Sequence, residues 1–225
     1  MFTRSQAVAD VVLSSPGCAQ VFQRYRIDFC CRGEQTVEAA AQRRRLDVDA
    51  LLLELEVAAK ERTADAPDVR QLSMREVVAF TVSHHHEPLL RTLPLVAALA
   101  TKVRSVHSAH APGLLRLEAR VEELAASLRA HLWDEATQLF PSLAEGKLDA
   151  QVQTLLQASI SDHLSVVGLL EEIRASADDF VAPEWACTSF RALYSQLQWL
   201  EHDVFALIHL ENYVLWPRLA ATGAS

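Results

Sequence analysis

Apolar positions recur at three- and four-residue intervals along most of the chain and no stretch alternates with period two, so the pattern predicts helices and no sheet. In the first sixty residues the periodic stretches are short: Val8, Val11 and Val12; Val21, Phe22 and Tyr25; Val37; then Leu46, Val48, Leu51, Leu52 and Leu55. Breaks at Ser14-Ser15-Pro16 and at Asp28-Phe29-Cys30-Cys31-Arg32-Gly33 divide them into three or four short helices. Residues 63–70 (TADAPDVR) carry a Pro, several turn-formers and no large apolar run. They read as a linker between a small helical domain, residues 1–62, and a second domain, residues 71–225.

Four longer segments of helical period follow, near 73–107, 113–139, 149–177 and 185–216. Ala111-Pro112-Gly113, Pro141 with Glu145-Gly146-Lys147, and Ala182-Pro183 punctuate them. Long helices on short connections describe an up-down-up-down four-helix bundle, so the fold class is all-α. Pro88 and Pro94 fall inside the first segment, where each removes a backbone donor and is expected to bend the axis. No internal repeat or low-complexity segment stands out.

Composition supports this picture and narrows the partners. The 225 residues include only 6 Gly and are 50% hydrophobic, which excludes a disordered chain. With 21 basic and 29 acidic residues the net charge is −8, against a nucleic-acid binder; the short run Arg43-Arg44-Arg45 reads as a solvated helix face. No apolar run is long enough to span a bilayer and no signal-peptide h-region is seen, so a cytoplasmic protein that leaves the membrane alone is expected. Reduced thiols are the default for Cys18, Cys30, Cys31 and Cys187, since neighbours such as Cys30 and Cys31 make a strained disulfide. Cys18 and Cys187 read as buried and structural. The tryptophans Trp133, Trp185, Trp199 and Trp216, with Phe140, Phe180, Phe190 and Phe205, read as packing. P-loop, dinucleotide and nucleophile-elbow motifs are lacking.

Candidate chemistry sits on the bundle segments. The second contains His131-Leu-Trp-Asp-Glu135, a His and a Glu four apart and about 40° from each other on one helix face. The third presents His163 beside Val166, Val167 and Leu170. The fourth carries Glu211, flanked at helical spacing by Val204, Leu207, Ile208, Val214 and Leu215. The first offers His84-His85-His86 just after Val77, Val78, Phe80 and Val82. A single inward His is usually a satisfied core residue, and a lone His-x-x-x-Glu pair is common on solvated helices. Three helices that each bury His or Glu in an apolar face, with a fourth offering three candidates, instead match the plan of a carboxylate-bridged di-iron or di-manganese site. Imidazole with carboxylate suits iron, and the lack of thiolate on these faces argues against structural zinc.

At these residues the chain resembles the Repair of Iron Centers family, di-iron proteins that restore iron-sulfur clusters after nitrosative and oxidative damage. The N-terminal stretch SSPGCAQVFQRYRIDFCCRGEQTVEAAAQRR with LDVDAL is similar to that family's small helical domain. HEPLLRTLP, ATKVRSVH, HLWDEATQLFP, ACTSFRALY and HLENYVLWPR resemble its hemerythrin-like bundle. The resemblance implies metal ligands His86, His131, Glu135, His163 and Glu211, with the two Glu bridging, His131 and His163 on one iron and His86 on the other. His84 and His85 would be exposed or behind the ligands, and His107 would be outer-shell or structural.

One position departs from the family pattern: Leu207 stands where a ligand His is expected, four residues before Glu211. His209 and His202 do not replace it by helix geometry, lying about 200° and 180° around from Glu211; only a local bulge would bring His209 inward. Two irons, or one firmly held iron, are therefore both open. The resemblance implies a function in cluster repair, by iron supply or NO handling, with damaged iron-sulfur proteins or apo cluster acceptors as partners and NO or O₂ as small ligands. The alternative is a NO or O₂ sensor or scavenger with a modified iron site. Cys30 and Cys31 beside the cation Arg32 are expected to form a reactive thiolate port. The N-terminal unit is too small for a large core of its own and is expected to dock on its own bundle or on that of a second copy in a homodimer.

Overall fold

The structure is a computed structural model that describes residues 1–60, 67–146 and 148–222. Residues 63–66 of the expected linker and Lys147 lie outside the described residues. Every long element among the described residues is helical, with a single isolated bridge, Ala7 to Thr36, as the only strand-like pairing. Among the described residues no helix is long and apolar enough to cross a membrane.

Two compact units account for the chain, Met1–Leu72 with Phe205–Pro217, and Ser73–Val204 with Arg218–Ser225. The first holds four short helices: α1 (Val8–Ser14), α2 (Cys18–Arg24), α3 (Val37–Arg44) and α4 (Val48–Lys60). Thr36 caps α3 by accepting the Ala39 amide, and Asp47 accepts the amides of Asp49 and Ala50 to start α4. Val8, Val11, Phe22, Val37, Ala41, Leu51 and Leu55 close the core of this unit. The bridge is reinforced where Val8 and Ala9 donate to the carbonyls of Gln35 and Gly33 at 3.0 and 2.9 Å.

The second unit begins with α5 (Met74–Thr81), opened by a capping box in which Ser73 and Glu76 satisfy each other's backbone amides. It continues with α6 (Glu87–His107), α7 (Leu114–Asp134), α8 (Phe140–Ala144) and α9 (Ala150–Ser176), whose N-cap Asp149 accepts the Val152 amide at 2.9 Å. Within it α6 packs on α7, α7 on α9, and α5 on α8. The last segment consists of α10 (Thr188–Leu210) and α11 (Trp216–Thr222). These four long segments fall where the hydrophobic period puts them.

Three of the four segments are not continuous α-helix. Val82–His86, Glu135–Leu139 and Glu211–Leu215 are π turns inserted without breaking the helix. The residue after each donates to a carbonyl five back: Glu87 to Val82, Phe140 to Glu135, Trp216 to Glu211. A proline follows each turn by two residues, at Pro88, Pro141 and Pro217. Because proline has no amide to give to the carbonyl four back, which lies inside the π turn, the wider turn forfeits no bond a regular helix would make there. Pro94, inside α6, has no such turn beside it.

The tryptophans correct one expectation. Trp133, Trp185 and Trp199 are exposed, and only Trp216 is buried. Trp133 follows an inward His131 by two residues, which turns it about 200° to the outside. Phe140 and Phe190 are core residues as read, and Arg43, Arg44 and Arg45 are all exposed.

Candidate metal centre

In the second unit three predicted ligands, His86, His131 and His163, gather around a fourth, the carboxylate of Glu135. Glu135, the first residue of its π turn, is 2% exposed. Its Oε1 lies 3.4 Å from His131 Nε2, one helical turn earlier, and its Oε2 lies 3.4 Å from His86 Nε2, at the end of the first π turn. Ser159 on α9 donates its hydroxyl to Glu135 Oε1 at 3.0 Å and sits 3.4 Å from His163 Nε2. The rings of His131 and His163 meet edge to face with centroids 5.0 Å apart, and a ligand atom from each of His131, Glu135 and His163 lies within 4.8 Å of the others.

This arrangement fits a cation. His131 Nε2 is buried and makes no hydrogen bond, although it faces a carboxylate oxygen. A buried imidazole nitrogen of that kind is costly until a metal or a proton occupies the gap. His131 Nδ1 faces Asp162 Oδ2 at 3.7 Å, the arrangement by which an outer carboxylate orients a ligating imidazole. The π turns explain how His86 and Glu135 reach one point, since such turns shift side-chain direction locally and recur at functional sites.

Other histidines of this unit stand apart. His84 is exposed and stacks on Phe80 at 4.0 Å. His85, next to the candidate ligand His86, pairs with Asp203 at 3.0 Å. His202 neighbours Asp203, His85 and Glu201, and burial lowers its pKa. His107 closes α6 beside Cys187.

Glu211, also fully buried, begins the third π turn and belongs to the first unit. There the same stretch builds the seat of the cysteine loop. His209 is 5% exposed; its Nδ1 bonds the Phe29 carbonyl at 3.1 Å and its ring packs on Phe29 and Tyr213. The π turn starts two residues after His209, so the bulge that would redirect it does not reach it. Leu207 is buried as an apolar core residue. Asn212 donates to the Cys30 carbonyl at 2.8 Å, and Tyr213 Oη accepts the Gly33 amide at 2.7 Å.

Asp28, Cys30 and Cys31 form a second group able to hold a metal. Asp28 Oδ1 accepts the amides of Cys30 and Cys31 at 3.1 and 2.8 Å, and the two sulfurs are 3.9 Å apart. The expected activation by Arg32 is not what the structure gives for Cys30. Arg32 is drawn to Asp28 at 3.9 Å, and the Cys31 thiol contact together with burial pushes the Cys30 thiol up rather than down. Cys31 is half-buried and Cys18 is buried, but Cys187 is exposed, contrary to its reading as a structural residue.

Sequence reasoning singled out these candidate ligands but not the π turns beside them. Their signal is a short repeat: Glu135-Ala-Thr-Gln-Leu139-Phe-Pro141 and Glu211-Asn-Tyr-Val-Leu215-Trp-Pro217 share Glu, Leu, an aromatic and Pro at the same spacing.

Fold and site together define a hemerythrin-type helical bundle with a buried His/Glu cation site, preceded by a small cysteine-bearing helical domain. Residues 77–219 match the hemerythrin HHE cation binding domain, and residues 4–59 match ScdA_N, a domain of unknown function (DUF542). The chain is 34% identical over 221 residues to the iron-sulfur cluster repair protein YtfE of Enterobacter sp. (strain 638), covering 98% of this chain and 99% of that one. It is 32% identical over 219 residues to YtfE of Edwardsiella ictaluri (strain 93-146), covering 97% and 98%. With YtfE of Escherichia coli O1:K1 / APEC the figure is 31% over 221 residues, covering 98% and 99%. The chain belongs to this family of iron-sulfur cluster repair proteins.

Proposed function

We propose that this chain is a non-haem iron protein that supports repair of iron-sulfur clusters damaged by nitrosative or oxidative stress, by supplying iron, by handling NO, or both. The observation that carries this reading is the convergence of His86, His131 and Ser159 on the buried carboxylate of Glu135. Iron would be held by the imidazoles of His131, His163 and His86 and by the carboxylates of Glu135 and Glu211. Iron held there would supply Lewis acidity and could take a diatomic ligand. Ser159 fixes the rotamer of Glu135, Asp162 orients His131, and the surrounding leucines keep water away. Cys30 and Cys31, with Asp28, act as a thiolate port that accepts or passes iron. The clients are damaged iron-sulfur proteins or apo cluster acceptors in the cytoplasm.

A second reading, a NO or O₂ sensor or scavenger with a mononuclear site, is favoured by Leu207, which offers no nitrogen where the family pattern has one. Elemental mass spectrometry separates the two. Protein purified without added metal and then reconstituted anaerobically with Fe(II) should hold close to two irons per chain on the first reading and one on the second. Glu135→Ala should lose metal in both cases. No iron uptake, or full occupancy in Glu135→Ala, would overturn both. Iron transfer to an apo cluster acceptor separates donor from sensor.

A further inference from the structure

Cys187 stands immediately before α10, and its carbonyl accepts the Arg191 amide at 3.0 Å, which makes it the cap of that helix. Its exposed Sγ lies 3.2 Å from Nε2 of His107, the last residue of α6. The imidazole is held in place: Trp185 tilts over it at 5.6 Å and the buried Phe190 meets it edge-on at 5.7 Å. His110, from the turn after α6, lies 6.5 Å from the same tryptophan. The backbone around the sulfur is fixed as well, because the Arg191 guanidinium donates to the carbonyls of Ala186, Glu184 and Pro183 at 3.1, 3.0 and 3.3 Å. An accessible sulfur, a base within proton-transfer reach and a braced turn make up an activated nucleophile.

We propose that Cys187 and His107 form a reactive-thiol site for low-molecular-weight disulfides of the glutathione type, apart from the Cys30-Cys31 loop. The reaction is thiol–disulfide exchange. His107 Nε2 takes the Cys187 proton as Sγ attacks one sulfur of the disulfide. The disulfide bond breaks, a mixed disulfide forms on Cys187, and the departing thiolate recovers the proton from His107. One disulfide is consumed and one thiol released per adduct, with no other oxidant. The other cysteines are poorer candidates: Cys18 is buried and bonded to the Leu55 carbonyl, and Cys30 is buried against Cys31.

The test is incubation of the full-length, iron-loaded chain with glutathione disulfide at neutral pH, read by intact mass and peptide mapping. One glutathione adduct on Cys187 is expected, absent in Cys187→Ser. His107→Asn should slow adduct formation about tenfold at neutral pH, where only a few per cent of an unassisted thiol is ionised, and the gap should close at alkaline pH, where hydroxide does the same work. Alkylation by iodoacetamide gives a check that needs no variant. Cys187 should react about tenfold faster than the cysteine of an unstructured peptide at the same pH. Adducts on Cys31 in place of Cys187, equal rates for His107→Asn and the parent chain at neutral pH, or peptide-like alkylation would each overturn the proposal.

Discussion

Tyr213 Oη accepts the Gly33 amide at 2.7 Å and passes its own hydrogen to Glu34 at 2.9 Å, which ties Gly33, just beyond the cysteine pair and Arg32, to a residue 180 positions away. The contact leaves no space at Gly33: a Cβ there would lie 2.6 Å from both Ala9 Cβ and the Phe29 carbonyl oxygen and 3.0 Å from Tyr213 Oη. Two of those neighbours cannot retreat without moving backbone. Gly33→Ala is expected to cost about 1–3 kcal/mol. Tyr213→Phe, which strands the Gly33 amide, should cost about 1–2 kcal/mol. Urea unfolding monitored by circular dichroism measures both, and the alanine variant should also show faster thiol labelling at Cys30 as the loop loosens.

The hydroxyl of Ser159 on α9 holds Glu135 Oε1, between that carboxylate and His163. Ser159→Ala keeps every ligand but frees the carboxylate rotamer, so metal affinity should fall about 10- to 100-fold while the metal-free fold stays near its original stability. Competition with a chromophoric chelator reads the affinity. Unchanged binding would mean that Glu135 is fixed by its other contacts.

Leu207 offers a gain-of-function experiment. Introducing Leu207→His places an imidazole at a buried position that now holds an apolar side chain, and without metal this should destabilise the chain by about 1–3 kcal/mol. Anaerobic Fe(II) should recover that loss and raise the iron content per chain above that of the parent. Melting temperature with and without iron, taken with elemental analysis, decides the matter.

Burial, helped by the nearby Glu56 charge, pushes the Cys18 thiol up to about 11 from an ordinary 9. The unfolded chain therefore releases this proton near pH 9 while the folded chain keeps it, so stability is fully present below pH 9 and is lost as pH rises toward 11. The loss is of order 3 kcal/mol across that window. Cys18→Ala should flatten this alkaline part of the stability profile, measured by denaturant titration between pH 8 and 11.

Much of the architecture is legible from periodicity, because His131, His163 and Glu211 sit in apolar stripes that only a buried face explains. The candidate ligand His86 is marked by a resemblance to a family pattern rather than by its own surroundings, since three adjacent histidines give no directional signal. The environment of Cys30 was not legible: sequence puts Arg32 just beyond the cysteine pair, but only the folded loop shows Asp28 engaging that cation. Cys187 and His107 are eighty residues apart, each unremarkable alone, and only the packing of Trp185 and Phe190 brings them together. Helix-wheel arithmetic held for His131 with Glu135, but it gives no sign of the π turns, which each add a residue to the count.

That added residue changes how the protein should tolerate changes in length. Loops normally absorb insertions and deletions while helices absorb substitutions. Here three helices carry one surplus residue beside a candidate ligand, and removing it would restore a regular helix that no longer aims that side chain as the π turn does. Deletion of one residue from Ala136–Gln138 or Asn212–Val214 is therefore more harmful than any conservative substitution at the same places.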